Sequence, residues 1–397
     1  MKKLLISLST VVTLGVSMFA AGYLSPVNTK DDLSKLNASS PEIAKLKFEN
    51  ITLYPQTAVR GNDAEANKKF ANATAMKAEV AVLANARYLS VVVRWADTTE
   101  SKQSQGSVKS FGDAVALQVP QKCTDAAKLP YIGMGSEGRP VTIMLQKNTE
   151  GYYLATTADI TDQQAKNNLN LFNADLKKKQ DAVASTKITK YQKVFVAEGF
   201  RTTTEVKDQL GYSMDMKYEA GKWTAVFTKK LNDDYSSVCD TQPIAIAIWD
   251  GAKDGRNGIK WLTPWTAVKL KDSEKSKNFI AEVGKKVKGD VANGKKLATE
   301  NCVACHTIGD MKAPENMAPN LSNIGGYSTA AYIRESIVEP QVVVVPGLNA
   351  NRSPMQFYAV DSAGVRTSNM PSFDYLKPKE IDDLIAYLQT LKAGGGK

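Results

Sequence analysis

A chain of 397 residues is long enough for two or three domains, each with its own core. It carries 51 Lys and Arg against 41 Asp and Glu, but the lysines are scattered without a dense basic block, which argues against a nucleic-acid partner. With a single histidine, multi-histidine zinc sites are excluded and any Ser-His-Asp triad would have to use His306.

Met1, Lys2 and Lys3 precede an apolar run from Leu4 to Ala21 that closes on small residues, with Ala20, Ala21 and Gly22 resembling a signal-peptidase site. Residues 1–22 therefore read as a signal peptide that directs the chain to the periplasm. A membrane anchor is the competing reading, weakened by Ser7, Ser9, Thr10 and Thr13 within the run. No later stretch is apolar enough to span a bilayer, so the mature chain is expected to be soluble.

From about Lys47 to Leu270 the pattern is mostly β. Glu79 to Trp95 holds two apolar runs around a turn at Asn85 and Ala86, and Ala114 to Val119, Val141 to Leu145, Trp223 to Thr228 and Ile244 to Trp249 are further strands. Short strands punctuated by Gly, Pro, Asn and Asp predict an antiparallel sandwich over residues 23–270. One helical insertion interrupts it: Thr161 and Gln164 form a capping box ahead of Leu169, Phe172, Leu176 and Val183 at helical spacing. Residues 271–288, rich in Lys, Ser, Glu and Gly, read as a linker. Residues 289–397 then read as helical, with one helix from Val291, a second over Thr329 to Val338, and a third opened by Pro378 with Ile381, Leu384, Ile385 and Leu388 on one face.

The run Cys302-Val303-Ala304-Cys305-His306 is the attachment pattern for c-type haem, in which two thiols form thioethers and the adjacent histidine ligates iron. Zinc would need further Cys or His nearby, and the sequence has none. Cys123 and Cys239 are left over, and in an oxidising compartment such a pair is expected as a structural disulfide. Position alone leaves Met311, Met317, Met355 and Met370 as rivals for the sixth iron ligand. The segment Asn369-Met370-Pro371-Ser372-Phe373, however, resembles the axial-methionine segment of class I cytochromes c. Ala318-Pro319-Asn320-Leu321 resembles that family's segment whose proline carbonyl accepts the N–H of the haem histidine. The resemblance covers about Gly289 to Leu391 and implies an all-α class I cytochrome c domain. It also implies one covalent haem c, His306 and Met370 as axial ligands, and Pro319 fixing the imidazole. With both axial positions filled by protein, electron transfer is favoured over catalysis.

Several phrases of the sandwich also match a family. Tyr88 to Thr99, Asp113 to Gln118, Pro130 to Val141 and Pro243 to Trp265 resemble the haem b-binding γ subunits of dimethyl-sulfoxide-reductase-type molybdenum enzymes. Ethylbenzene dehydrogenase, dimethylsulfide dehydrogenase, selenate and chlorate reductases and nitrite oxidoreductase have such subunits. The match runs in order through most of Phe48 to Leu270. It implies one non-covalent haem b held between Met134, within Tyr131 to Gly135, and Lys260, within Asn257 to Trp261. Gly133 and Gly135 would let a flat macrocycle approach the backbone, a thioether is a soft ligand, and apolar neighbours Ile259 and Trp261 would favour the neutral amine. The resemblance further implies a molybdopterin catalytic subunit and an iron-sulfur subunit as partners.

The reading is thus a periplasmic dihaem electron-transfer subunit, not an enzyme by itself. It would relay electrons between a molybdenum/iron-sulfur oxidoreductase, through haem b, and other cytochromes or a membrane redox chain, through haem c. The alternative is a ligand- or sugar-binding sandwich fused to a monohaem cytochrome c, with exposed Trp223, Trp261 and Trp265 as a stacking platform. In the haem b reading Trp261 and Trp265 are pocket walls.

Overall fold

The computed structural model describes residues 22–57, 68, 70, 72–103, 110–149, 152–153, 187–188, 191–200, 202–235, 237, 239–314, 317–345 and 357–393. The apolar leader and the helix expected from Thr161 to Val183 lie outside the described residues.

The N-terminal part is built from strands β1 (Tyr23–Leu24), β2 (Val27–Asn28), β3 (Glu49–Pro55), β4 (Met76–Ala84), β5 (Tyr88–Ala96), β6 (Ala114–Pro120), β7 (Val141–Lys147) and β8 (Tyr152–Tyr153). It continues through β9 (Lys187–Ile188), β10 (Tyr191–Ala197), β11 (Thr204–Glu205), β12 (Tyr212–Glu219), β13 (Lys222–Lys230), β14 (Thr241–Trp249), β15 (Trp261–Leu262) and β16 (Thr266–Lys269). The main sheet runs β11-β10-β7-β6-β14-β15-β3-β4-β5-β13-β12. It folds over at β3, whose Leu53 pairs with Met76 while its Tyr54 pairs with Leu262, giving a half-barrel of two facing layers. Between the named strands pairing is antiparallel apart from two short parallel contacts, β1 with β16 and β2 with β4.

Alternation explains the layers. Val80, Val82, Val91, Val93, Trp95 and Phe227 point inward from one layer and meet Val115, Leu117, Met144, Ile244, Ile246 and Ile248 of the other, all buried. Each such side chain contributes about 1.5–3 kcal/mol of burial. The opposite face of the first layer, through Leu83, Val92 and Val226, is covered by Leu33, Leu36 and Ile43 of the N-terminal segment. At the turn expected at Asn85, the Asn85 Oδ1 accepts the backbone N–H groups of Arg87 and Tyr88. Cys123 and Cys239 form the disulfide, tying the β6–β7 connection to the approach to β14.

The C-terminal part contains α1 (Glu274–Val283), α2 (Val291–Asn301), α3 (Ile324–Tyr327), α4 (Ala330–Val338), β17 (Tyr358–Val360), β18 (Arg366–Ser368) and α5 (Pro378–Thr390). Asp290 caps α2 by accepting from Ala292 and Asn293, and Thr329 caps α4 by accepting from Tyr332. α2 crosses α5 at Gly294, where a Cβ would stand 2.0 Å from the Asp383 carbonyl, so only glycine allows this approach.

Two local features add to the sequence reading. The stretch read as a linker contains α1, because Ser273 caps it through the Ser276 N–H and Phe279 and Val283 find an apolar cluster to pack against. The C-terminal domain is helical as expected, with one short hairpin where Asp361 Oδ1 collects the N–H groups of Ala363 and Val365 and turns β17 into β18.

Candidate functional site

The attachment motif occupies the turn that ends α2. Cys305 and His306 donate their backbone N–H groups to the Cys302 carbonyl, at 3.1 and 2.8 Å, which gathers both thiols and the imidazole on one turn. Cys302 is buried and Cys305 exposed. Nδ1 of His306 lies 2.7 Å from the Pro319 carbonyl, and since a carbonyl can only accept, Nδ1 carries the proton and Nε2 keeps its lone pair. Burial lowers the His306 pKa, so the ring is held in the neutral form an iron ligand needs. Burial, with Cys305 adding to it, pushes the Cys302 thiol up to about 11.

Met370 is half-buried; its N–H donates to Ser368 Oγ at 3.2 Å. The residues after it are pinned to α4 by Phe373 N–H to the Ile337 carbonyl and Ser372 Oγ to the Val338 carbonyl. Among its rivals, Met311 has its sulfur engaged by Thr299 Oγ1 at 3.3 Å, Met317 is half-buried, and Met355 lies outside the described residues. The donors on this turn fit a covalently attached haem: two unpaired thiols, one neutral imidazole oriented by a carbonyl, and a thioether on an anchored segment.

A second candidate site lies on the outer face of the layer formed by β10, β7, β6, β14 and β15. The registers place Phe195, Ile143, Gln118 and Ala245 in one row, Leu145, Ala116, Ala247 and Leu262 in the next, and Ala114 opposite Trp249. The inner face of the same strands carries Val, Leu, Ile and Met. Its outer face carries alanines at the centre with half-buried Leu145, Phe195 and Trp249 around them. The short side chains of buried Ala116, Ala245 and Ala247 lie lower than the rim of large apolar groups around them, a recess in side-chain length that suits packing against a planar group.

Lys260 and Met134 stand at opposite ends of this recess. Lys260 is buried, its Nζ 3.2 Å from the Asn257 carbonyl and 5.0 Å from the centre of the Trp249 ring. Among the described residues no carboxylate pairs with it, and burial depresses its pKa to about 8. The other fully buried lysine, Lys229, is also lowered to about 8, but has Asp233 nearby to favour its charge. Met134 follows Tyr131 in the β6–β7 connection with φ of 81°, a left-handed conformation uncommon for a side chain larger than Asn. Its carbonyl accepts from Gly199 N–H at 2.8 Å, and Gly135 also has positive φ, packed where a Cβ would lie 2.9 Å from the Ala197 and Arg139 carbonyls. The loop thus forces Met134 into a strained geometry beside the ends of β7 and β10.

Polar atoms left over near each end extend this pattern. Both amide atoms of Gln56, whose N–H donates to the Lys260 carbonyl, are buried without a partner, and so is Ser136 Oγ, two residues beyond Met134. Buried groups of this kind normally find a partner, and an inserted ligand with polar edges would supply one. The residues present therefore fit a haem held by Met134 and Lys260. Sequence reading missed Gln56 and Ser136, which carry no pattern of their own; the Ile244-Ala245-Ile246-Ala247-Ile248 alternation was a usable signal for the recess.

The three tryptophans differ from the expected platform. Trp223, Trp261 and Trp265 are all buried, with indole N–H groups spent on Asp113, the Thr74 carbonyl and the Pro130 carbonyl. Trp261 points into the inter-layer core, since it pairs with Ile248 rather than with the recess row, so it is not a wall of the recess. Trp265 does belong to the apolar cluster beneath the recess side.

The two candidate sites share one body. A single apolar cluster runs from Ala116, Ala245 and Ala247 through Tyr131 and Trp265 to Leu297, Ala298 and Cys302. Arg139, a few residues from Met134, makes paired hydrogen bonds to Glu335 of α4 at 2.8 and 2.6 Å, with both side chains mostly buried. Asn323 Nδ2 donates to the Pro55 carbonyl, Thr57 Oγ1 to the Asn320 carbonyl beside Pro319, and the Tyr131 and Tyr332 rings lie 5.6 Å apart.

Comparison with known proteins agrees with this division. The model of the ethylbenzene dehydrogenase family matches residues 41–260, and that of cytochrome c matches residues 291–392. A Haloferax mediterranei protein named as a respiratory nitrate reductase haem subunit is 26% identical over 182 residues, 45% of this chain and 50% of that protein. The chain thus spans about half the length of that relative. Cytochrome c2 of Rhodospirillum rubrum is 30% identical over 113 residues, 26% of this chain and 99% of the cytochrome. Among solved structures, a family 9 carbohydrate-binding module from Caldicellulosiruptor kristjanssonii with cellotriose has a TM-score of 0.30 at 8% identity, covering 63% of this chain and 94% of the module. At that score the likeness carries no weight. The chain belongs to the ethylbenzene dehydrogenase family through its β half-barrel and to the cytochromes c through its C-terminal domain, and is a haem-binding electron-transfer subunit.

Proposed function

We propose that the chain is a periplasmic dihaem subunit that passes electrons between a molybdenum/iron-sulfur oxidoreductase and a second redox protein. In this reading residues 1–22 are a signal peptide, 23–270 hold haem b through Met134 and Lys260, 271–288 connect, and 289–397 hold haem c through Cys302, Cys305, His306 and Met370. Both groups supply one-electron redox chemistry when bound. Pro319 keeps the His306 lone pair on Nε2, burial lowers the Lys260 pKa and so eases loss of the proton that an iron ligand must give up, and the alanines of β6 and β14 leave an apolar floor between Lys260 and Met134.

The observation that carries the reading is the single apolar cluster joining the recess to Cys302. Two sites that merely shared a chain would be separated by solvated linker; here the domains are packed and ion-paired, so passage between them need not wait for diffusion. The nitrate reductase name of the Haloferax relative supports a molybdopterin catalytic subunit and its iron-sulfur subunit as the partners at the half-barrel end. Another cytochrome or a membrane redox chain is the partner at the cytochrome end. No helix of the described residues is long and apolar enough to cross a membrane.

A pyridine haemochromogen spectrum before and after acid-acetone extraction tests this. One extractable haem b and one retained haem c per chain are expected. Haem c alone, in protein matured with ample haem, would overturn the dihaem reading.

A further inference from the structure

Next to the Trp249 end of the half-barrel recess, but outside the residues proposed to hold haem, three carboxylates converge. Asp97 follows β5, Asp113 precedes β6 and Asp250 follows β14, and each offers an oxygen within 4.8 Å of the other two. The neighbours only partly satisfy them. Asp113 Oδ2 accepts from Ser101 N–H at 2.8 Å and Trp223 Nε1 at 3.2 Å, and its Oδ1 from Gly251 N–H at 2.8 Å. Asp97 Oδ1 accepts from Thr99 N–H and Oγ1. Asp250 is 6% exposed; its Oδ2 pairs with Lys253 Nζ at 2.8 Å, while its Oδ1 is buried with no hydrogen-bond partner.

Two buried carboxylates and the half-buried Asp97, served by one exposed lysine, leave a surplus of negative charge and an orphaned acceptor. That arrangement is costly unless a cation completes it. Burial, with Asp97 and Asp250 adding to it, raises the Asp113 pKa to about 6, which registers the same crowding.

We infer that Asp97, Asp113 and Asp250 bind a calcium ion. Hard carboxylate oxygens exclude the softer transition metals that prefer nitrogen or sulfur, and the cluster contains no Cys or His. Ca2+ accepts about six to eight oxygens at about 2.3–2.6 Å in irregular geometry, whereas Mg2+ demands a near-ideal octahedron and keeps its waters. An oxygen set contributed by three separate strand ends suits the former. The ion takes up Asp250 Oδ1 and relieves the mutual repulsion of the three groups. It also fixes the root of the loop that leaves Asp250 and ends at Lys260, because the Asp250 carbonyl already holds Gly255 and Lys253.

The test uses the full chain with its haems retained, stripped with EGTA and then given Ca2+ or Mg2+ alone. We expect one Ca2+ per chain by elemental analysis after gel filtration, and a Tm raised by several degrees by Ca2+ and much less by Mg2+. Asp250→Asn should match or exceed the stripped wild type in Tm, since it removes repulsion, yet gain nothing from Ca2+. Asp97→Asn, at a half-buried strand end, serves the same purpose if the first variant does not accumulate. An unchanged wild-type Tm, an equal shift in both variants, or an equal response to Mg2+ would each overturn the assignment. None of these readouts depends on haem b, so the inference and the dihaem reading fail separately.

Discussion

The two candidate haem sites are built on opposite plans. At the cytochrome end, Cys302, Cys305 and His306 fall within five consecutive residues, and one backbone turn assembles them. At the half-barrel end, the candidates Met134 and Lys260 come from loops at opposite ends of the β6, β7 and β14 strands, and only strand register relates them. A covalent site can rely on local chemistry and tolerate modest error elsewhere. A non-covalent site must be right everywhere at once, from the alanine floor to the unusual backbone of Met134.

This contrast can be broken by mutation. The largest effect is expected from Cys302→Ser with Cys305→Ser, which should abolish covalent haem while leaving extractable haem b near its wild-type amount; loss of both haems would mean that the sites are not independent. Next comes the disulfide, which closes a 116-residue separation and should contribute about 4–5 kcal/mol by the loop-entropy argument. Cys123→Ala with Cys239→Ala should lower the denaturant midpoint of the half-barrel with little change in the cytochrome c spectrum.

Lys260 gives a sharper test through pH. Its amine has a folded pKa of about 8 against an ordinary 10.5, so between those values the unfolded chain binds more protons than the folded one and stability rises with pH. Below about 8 the penalty for a buried charge is fully present. In protein stripped of haem b, Lys260→Met should therefore flatten part of the stability rise between pH 8 and 10.5. It should also gain on the order of 3 kcal/mol at pH 7. Lys229, Lys147 and Lys392, whose amines are also lowered by burial, contribute to the same slope, and a Lys260→Met profile identical to wild type would show that its amine is solvated. The same substitution in the intact protein should remove extractable haem b, as should Met134→Ala.

The smallest effect expected is at the seam. Arg139→Ala leaves Glu335 mostly buried without its partner and should cost roughly 2 kcal/mol, below the ~3–5 kcal/mol of a fully buried pair. Calorimetry should then resolve separate transitions for the two domains. A single unshifted transition would mean that the apolar cluster alone couples them.

Much of the chain was legible because local rules governed it. Alternation located β5, β6, β7, β13 and β14 to within a few residues, helical spacing with Pro378 at its start located α5, α4 was placed by the same reading, and the five-residue motif marked the candidate haem c turn. Residues whose role depends on distant partners were not. β12, whose residues are half-buried or exposed along most of its length, has little apolar alternation to show and is held chiefly by its ladder to β13. α1 was hidden by its lysines, because Phe279 and Val283 are too few to set a period. Trp261 was read as a pocket wall, and in the alternative reading all three tryptophans as exposed, because nothing in a sequence distinguishes a ring on the inner face of a layer from one on the outer face.

The short contact between β1 and β16 bears on how the protein comes to be made. Leu24, at the very start of the described chain, lies in register with Val268, at the end of the half-barrel. A chain delivered from its N-terminus must keep that first strand waiting until the last has emerged, and only then can the edge close. Contacts of such long sequence separation form late and slowly. The cytochrome domain follows immediately, so the half-barrel edge can close only when the residues just ahead of the Cys302 motif have emerged.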